Sequence, residues 1–177
     1  MMNKLLAFFP LLVLLASGSC KKVDELTEFD ISYSSEAAIP GSPYDTSGAV
    51  DFLIPDIKTE SSTKFAAGGT SKDFIDGIYL KSLTITNQSG DLDFMDAMSV
   101  FISADGLPEV LLASKINFPK GTNSVVLDPG GNNIKEYIFK DAISLRLGAT
   151  VNSLRPEEQK LKIDQVMRVS GKKLSKK

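Results

Sequence analysis

The side chains best suited to chemistry in this 177-residue chain are oxygen donors close together: Asn87, Asp91, Asp93 and Asp96. Hard oxygen donors in a loop suit a calcium ion, and Asp105 could add a carboxylate from a neighbouring turn. Asp91-Leu92-Asp93 does not match an EF-hand loop, which places more ligands at fixed spacing and ends on a glutamate. Read as a solvated acidic loop, the same cluster needs no ion. Two of its carboxylates flanking a cleft, about 5–9.5 Å apart, would suit glycoside hydrolysis, with loop acids as catalytic groups. A third chemistry is sugar recognition. The turn Asp128 to Asn133 concentrates amide donors, and the rings of Tyr44 and Tyr137 could stack on a glycan. Partly buried packing is the competing reading for both tyrosines.

Composition removes many other activities. The chain has no histidine, so a histidine-based triad, a histidine-containing zinc or iron site and a zincin helix are excluded. Gly68-Gly69 and Gly130-Gly131 lack the spacing, the lysine and the following helix of a phosphate loop. No cofactor is expected and no firm metal site. Lys and Arg total 20 against 22 Asp and Glu, a formal charge of −2 that gives no reason to expect nucleic acid. These residues favour a non-enzymatic protein.

The elements that must position these residues are strands. Phe29, Ile31 and Tyr33 alternate with polar residues, and so do Val50, Phe52 and Ile54 before Pro55. Ile78 to Thr86 is the clearest central strand, with its alternation slipping between Leu80 and Leu83 as at a β-bulge. Residues 58–70 read as a Ser/Thr/Gly-rich connection, with Phe65 to Ala67 able to pair along an edge. Leu92 to Met98 places Leu92, Met95 and Met98 on one helical face. Residues 99–103 and 109–113 form a hairpin whose Asp105-Gly106 turn is lengthened by Pro108. A strand at 124–127 and a brief helix at 134–139, capped by Asn132 or Asn133, follow. The most regular alternation is Ile143, Leu145, Leu147, Ala149 and Val151. The last strand aligns Leu161, Ile163, Met167 and Val169, with Gln165 interrupting the apolar row. About eight strands with one or two short helical turns, and no helix long enough for a parallel crossover, imply an all-β, antiparallel β-sandwich, immunoglobulin-like or jelly-roll-like.

The amino terminus is organised differently. Lys4 is followed by the apolar run Leu5 to Ala16 and then by Ser17, Gly18, Ser19 and Cys20, the layout of a secretory signal. Twelve residues at about 1.5 Å each cannot cross a hydrocarbon core of roughly 30 Å. Cys20 is the sole cysteine, so no disulfide can form within the monomer. Its context resembles the lipobox of bacterial lipoproteins, matching at Gly18 and Ser19 and departing at Ser17, where leucine is usual. That resemblance implies lipidation of Cys20 after removal of residues 1–19. A simple signal-peptidase cut is the alternative. Residues 20–28 would then be the lipidated cysteine and a short tether, 29–170 a single β-sandwich domain and 171–177 a basic flexible tail.

One further resemblance rests on Leu80 to Thr86, Asp93-Phe94-Met95, Val100 to Gly106, Glu109 to Ala113, Ile134 to Ile138 and Ala142 to Leu147. Together with Cys20-Lys21-Lys22, these runs resemble a group of small, poorly characterised Bacteroidetes envelope lipoproteins. The resemblance implies a β-sandwich exported to the bacterial outer membrane and lipid-anchored there, palmitate among its acyl chains, and it carries no catalytic residues. Lys21 and Lys22 stand where an acidic surface-export signal would begin, so a periplasm-facing protein is expected, with the cell surface as alternative. The expected function is a membrane-anchored, non-enzymatic binding or structural module. A glycan-binding or calcium-stabilised adhesion module and a loop-carboxylate hydrolase are the competing readings. Expected partners are membrane lipid through acylated Cys20 and an envelope protein or glycan.

Overall fold

Four strand pairs nest inside one another. In the computed structural model, which describes residues 28–42, 47–153 and 155–172, β1 (Glu28–Ile39) runs antiparallel to β8 (Gln159–Gly171). Likewise β2 (Gly48–Lys58) pairs with β7 (Ala142–Val151), β3 (Ile75–Asn87) with β6 (Ser124–Pro129) and β4 (Met95–Ala104) with β5 (Leu107–Ile116). First pairs with last and each inner strand with its counterpart, as when one long antiparallel hairpin is rolled up. The result is two four-stranded sheets, β1-β8-β3-β6 and β5-β4-β7-β2. That order is the jelly roll, and it decides between the two sandwich topologies the alternation allowed. The sheets join along one seam, where Ala113 pairs with Pro129 and Ser114 with Asp128.

The inner faces are the alternating rows. Leu161, Ile163, Met167 and Val169 of β8 and Ile143, Leu145 and Leu147 of β7 are buried, while Lys160, Lys162, Asp164 and Arg168 point outward. The slip in β3 is a bulge between Leu80 and Ser82 against β8, which keeps Ile78, Leu80, Leu83 and Ile85 on one face. Two short helices, α1 (Ser61–Ala67) and α2 (Lys135–Ile138), cover what the strands leave. At α2 the Asn133 side chain accepts the backbone N–H of Lys135 at 3.1 Å and that of Ile78 at 3.2 Å, tying the helix to β3.

Three local expectations are corrected. Leu92 to Met98 is not helical: β4 begins at Met95, and a register shift between Met95 and Ala97 turns Met95 and Met98 onto the same inner face. A bulge thus reproduced the three-residue spacing of a helix. Residues 61–67 form α1 rather than an edge, because Phe65 is drawn fully into the core, edge-on to Phe139 at 5.9 Å. Pro108 does not lengthen the hairpin loop. Ala104 pairs with Leu107 around Asp105-Gly106, Gly106 supplies φ 72°, and Pro108 lies inside β5.

Gln165 lies in the inward row of β8, fully buried, and neither its Oε1 nor its Nε2 has a hydrogen-bond partner among the described residues. Its register neighbours are Tyr33, whose hydroxyl is committed to the Thr59 carbonyl at 2.8 Å, and Leu83. An unsatisfied buried amide costs about 1–3 kcal/mol, and methionine replaces it with similar length and no hydrogen-bonding demand. Gln165→Met should therefore stabilise the domain by about 1–3 kcal/mol, read as a higher urea midpoint at unchanged slope. A lower midpoint would mean that buried water satisfies the amide.

Candidate functional site

The carboxylates singled out by spacing each meet cations or amide donors and do not converge on a common point. Asn87 is buried at the end of β3: its Nδ2 donates to the Asp91 carbonyl at 2.7 Å and to Gln159 Oε1 at 3.0 Å, and its Oδ1 accepts the Ser89 N–H at 3.0 Å. Asp91 Oδ1 accepts the Asp93 N–H at 2.9 Å and a hydrogen bond from Arg155 Nη2. Asp93 Oδ1 accepts the Gly121 N–H at 2.6 Å. Asp96 Oδ1 accepts Asn152 Nδ2 at 3.0 Å and Lys120 Nζ at 3.2 Å. Asp105 sits on the β4–β5 turn, at the far end of β4 from Asp96. Among the described residues no three acidic, His or Cys side chains converge to hold a metal ion. The loop is stitched to Gly121, Asn152 and Arg155, residues brought in from distant parts of the chain.

This wiring also bears on catalysis. The Asp93 backbone N–H, and then Arg155, hold the Asp91 carboxyl below the usual carboxylate range. Asn152 and Lys120 do the same for Asp96. A paired-carboxylate hydrolase needs one acid kept protonated near neutrality, the opposite direction. No catalytic arrangement of these carboxylates is formed among the described residues. Tyr137 is buried to 7 % exposure, and its hydroxyl donates to the Pro108 carbonyl at 2.8 Å, so its ring presents no sugar platform. Tyr44 and Cys20 lie outside the described residues.

The open part of the molecule is elsewhere, on the seam opposite β5–β6. There β1 and β2 are the terminal strands of the two sheets, and each carries an edge that no other strand among the described residues pairs with. One end of this seam is closed where the Ser42 N–H donates to the Arg155 carbonyl at 2.9 Å and Gly41 packs against Pro156. A methyl group on Gly41 would stand 2.0 Å from the Pro156 carbonyl oxygen. The other end is plugged by α1. Phe65 enters the core, Lys64 Nζ donates to the Ser32 carbonyl at 3.2 Å and lies 4.7 Å from the centre of the Tyr33 ring, and Gly68 packs against Phe29.

Between these closures lies a groove of about 490 Å³, walled by residues 36–38 and Pro40 on one side and by Asp51–Pro55 on the other. Phe52 and Ile54 point inward yet stay only half-buried, because the facing β1 side chains are small: Ser35 and Ala37. Leu53, on the outer face of β2, is 65 % exposed. The β2 edge is braced from outside by Arg146, which donates to Asp51 at 2.6 Å and to Glu109 at 2.6 Å and sits 4.1 Å from the centre of the Phe101 ring. Spacing among acidic residues could not reveal this groove. Its one sequence signal is the small pair Ala37-Ala38 beside Pro40, set against the apolar alternation that stops at Pro55.

No family model matches the sequence, and no curated protein matches it. Solved structures similar to it include the decameric BFDV capsid protein (8 % identity, 82 % of this chain and 98 % of that one, TM-score 0.38). Another is tomato aspermy virus (12 % identity, 82 % and 81 % coverage, TM-score 0.31). A third is Desmodium yellow mottle tymovirus (12 % identity, 99 % and 100 % coverage, TM-score 0.30). The fold assignment rests on the chain's own strand order. With no family model and no curated protein behind it, the resemblance to Bacteroidetes envelope lipoproteins does not stand, and with it go the lipoprotein, membrane, lipid-anchor and palmitate themes drawn from it. The physical reason lies in the runs that carried it. Leu80 to Thr86, Val100 to Ala104, Glu109 to Ala113 and Ala142 to Leu147 lie in strands of a jelly roll, and their alternation is what any half-buried antiparallel strand produces.

Asp30 and Asp164 join Asp91 and Asp96 in titrating low, held down by Lys81 and by Lys162 respectively. A carboxylate whose folded pKa lies below its unfolded value of about 3.9 stabilises the fold above that value, and the contribution is lost as pH falls through the folded pKa. Stability should therefore be level from pH 7 to about 5 and decline below about 4. Asp91→Asn should lower stability at pH 6 and shrink the loss between pH 6 and pH 3, measured by thermal melts across that range.

Proposed function

We propose that this domain is a non-enzymatic recognition module that holds its partner along the β1–β2 seam. The observation that carries this reading is the groove itself, in which inward-facing Phe52 and Ile54 remain half-exposed and Leu53 stands out at the rim. Apolar side chains turned toward a core are normally covered, and an uncovered set between two unpaired strand edges marks a contact surface. The polar loop at Asn87 to Asp96 supports the reading in a different way. Its donors and acceptors are already spent internally, so it serves as scaffold.

Site-specific photocrosslinking in the native host tests this. A benzophenone amino acid replaces Leu53 in one variant and Val126 in another; Val126 is 53 % exposed on the other sheet and makes a matched control. A discrete adduct from position 53 and none from position 126 is expected. Equal labelling at both, or an adduct from position 126 alone, overturns the proposal.

A further inference from the structure

We propose that the occupant of the seam is an extended polypeptide segment, added as a strand against β1, with apolar residues facing inward and a basic residue facing Glu36. The inference rests on the recognition reading above and names the chemistry of the partner. Its first support is the direction of the β1 main chain. Ser32 gives its carbonyl to Lys64, on the side away from β8, and the β1–β8 register runs unbroken from Glu28 to Ile39. In an antiparallel strand alternate residues direct both N–H and C=O to the same edge. Ser34, Glu36 and Ala38 therefore offer their main-chain groups to the seam. A row of alternating donors and acceptors at strand spacing is matched by another backbone, and not by a lipid chain or a sugar.

The second support is where the edges are guarded. Unpaired edges are ordinarily protected by lysine, proline or bulges. Here Lys64 covers β1 at Ser32, while Pro55, the left-handed Asp56 (φ 57°) and the register shift between Ile54 and Ile57 block β2. The window left on β2 is Asp51 to Ile54, about 13 Å of extended chain. That length fits a short strand.

The third support is complementarity. A side chain pointing inward from the added strand would cover Phe52 and Ile54 where Ser35 and Ala37 are too small to do so, and the Ser35 hydroxyl is buried without a hydrogen-bond partner among the described residues. On the outer side, Asp51 is neutralised by Arg146, whereas Glu36 is exposed and has no ion-pair partner among the described residues. Its cross-strand neighbour Lys162 is engaged by Asp164, so the Glu36 carboxylate at the rim favours lysine or arginine.

The test is a titration of the full chain with a capped hexapeptide alternating valine with lysine, followed by backbone amide NMR and hydrogen exchange. Expected are shifts confined to residues 34–38 and 51–54, slowed exchange at those amides, and loss of binding when the backbone nitrogens of the peptide, lysine and valine alike, are methylated. Glu36→Gln should weaken binding roughly two- to fivefold at low ionic strength. The proposal is overturned if the N-methylated peptide binds equally well, or if no shift reaches the seam at millimolar peptide. It is also overturned if the chain dimerises through the seam in a way that peptide does not displace. An adduct from position 53 together with no peptide binding would leave the seam as the contact surface and remove the strand as its occupant.

Discussion

Two sheets with apolar inner faces must be sealed along both of their long edges, and this jelly roll seals its two edges by different means. Along one, β5 and β6 pair directly at Ala113–Pro129 and Ser114–Asp128, so the backbone itself closes the core. Along the other, β1 and β2 do not pair, and closure falls to a packed loop at Gly41–Ser42 and to α1 with its single deep side chain, Phe65. Nested pairing of the eight strands produces this asymmetry, because β1 and β2 end the sheets at the same side and meet no further strand among the described residues. The half-exposed Phe52 and Ile54 follow from that constraint together with the small residues opposite them.

The loop between β3 and β4 meets a comparable demand with polar groups. A crossing from one sheet to the other leaves backbone N–H and C=O groups without ladder partners, and side-chain amides and carboxylates supply them. Asn87 binds the carbonyl of Asp91, Asp91 binds the N–H of Asp93, and Asp93 binds the N–H of Gly121. Oxygen-rich residue types at short spacing therefore serve two purposes equally well, holding a cation or satisfying a turn. Which one applies depends on what else arrives. Here Arg155, Lys120 and Asn152 arrive, and the carboxylates stay ionised beside them.

Much of the architecture was legible in the chain because alternation at period two leaves little freedom. β7, β8 and the bulged β3 could be placed residue by residue, and the slip at Leu80–Leu83 was readable because a bulge shifts every later side chain by one. The same device hid β4, where the shift at Met95–Ala97 imitated helical spacing. α1 was hidden for another reason: a seven-residue helix has almost no stability of its own, and only the burial of Phe65 selects it. The groove left still less trace, since small residues on one strand and half-covered ones on another acquire meaning only when the two strands are apposed.

The sequence by itself determined that the chain is an antiparallel sandwich without histidine chemistry, because side-chain alternation and composition are properties of short stretches. It also named which acidic residues cluster. Only the tertiary structure decided that the sandwich is a jelly roll, that the acidic cluster is a brace and that the open surface lies between β1 and β2. Each of those depends on which distant residues meet, such as Asp91 with Arg155 or Tyr33 with Thr59, and pairing across such separations is set by packing of the whole chain rather than by local pattern.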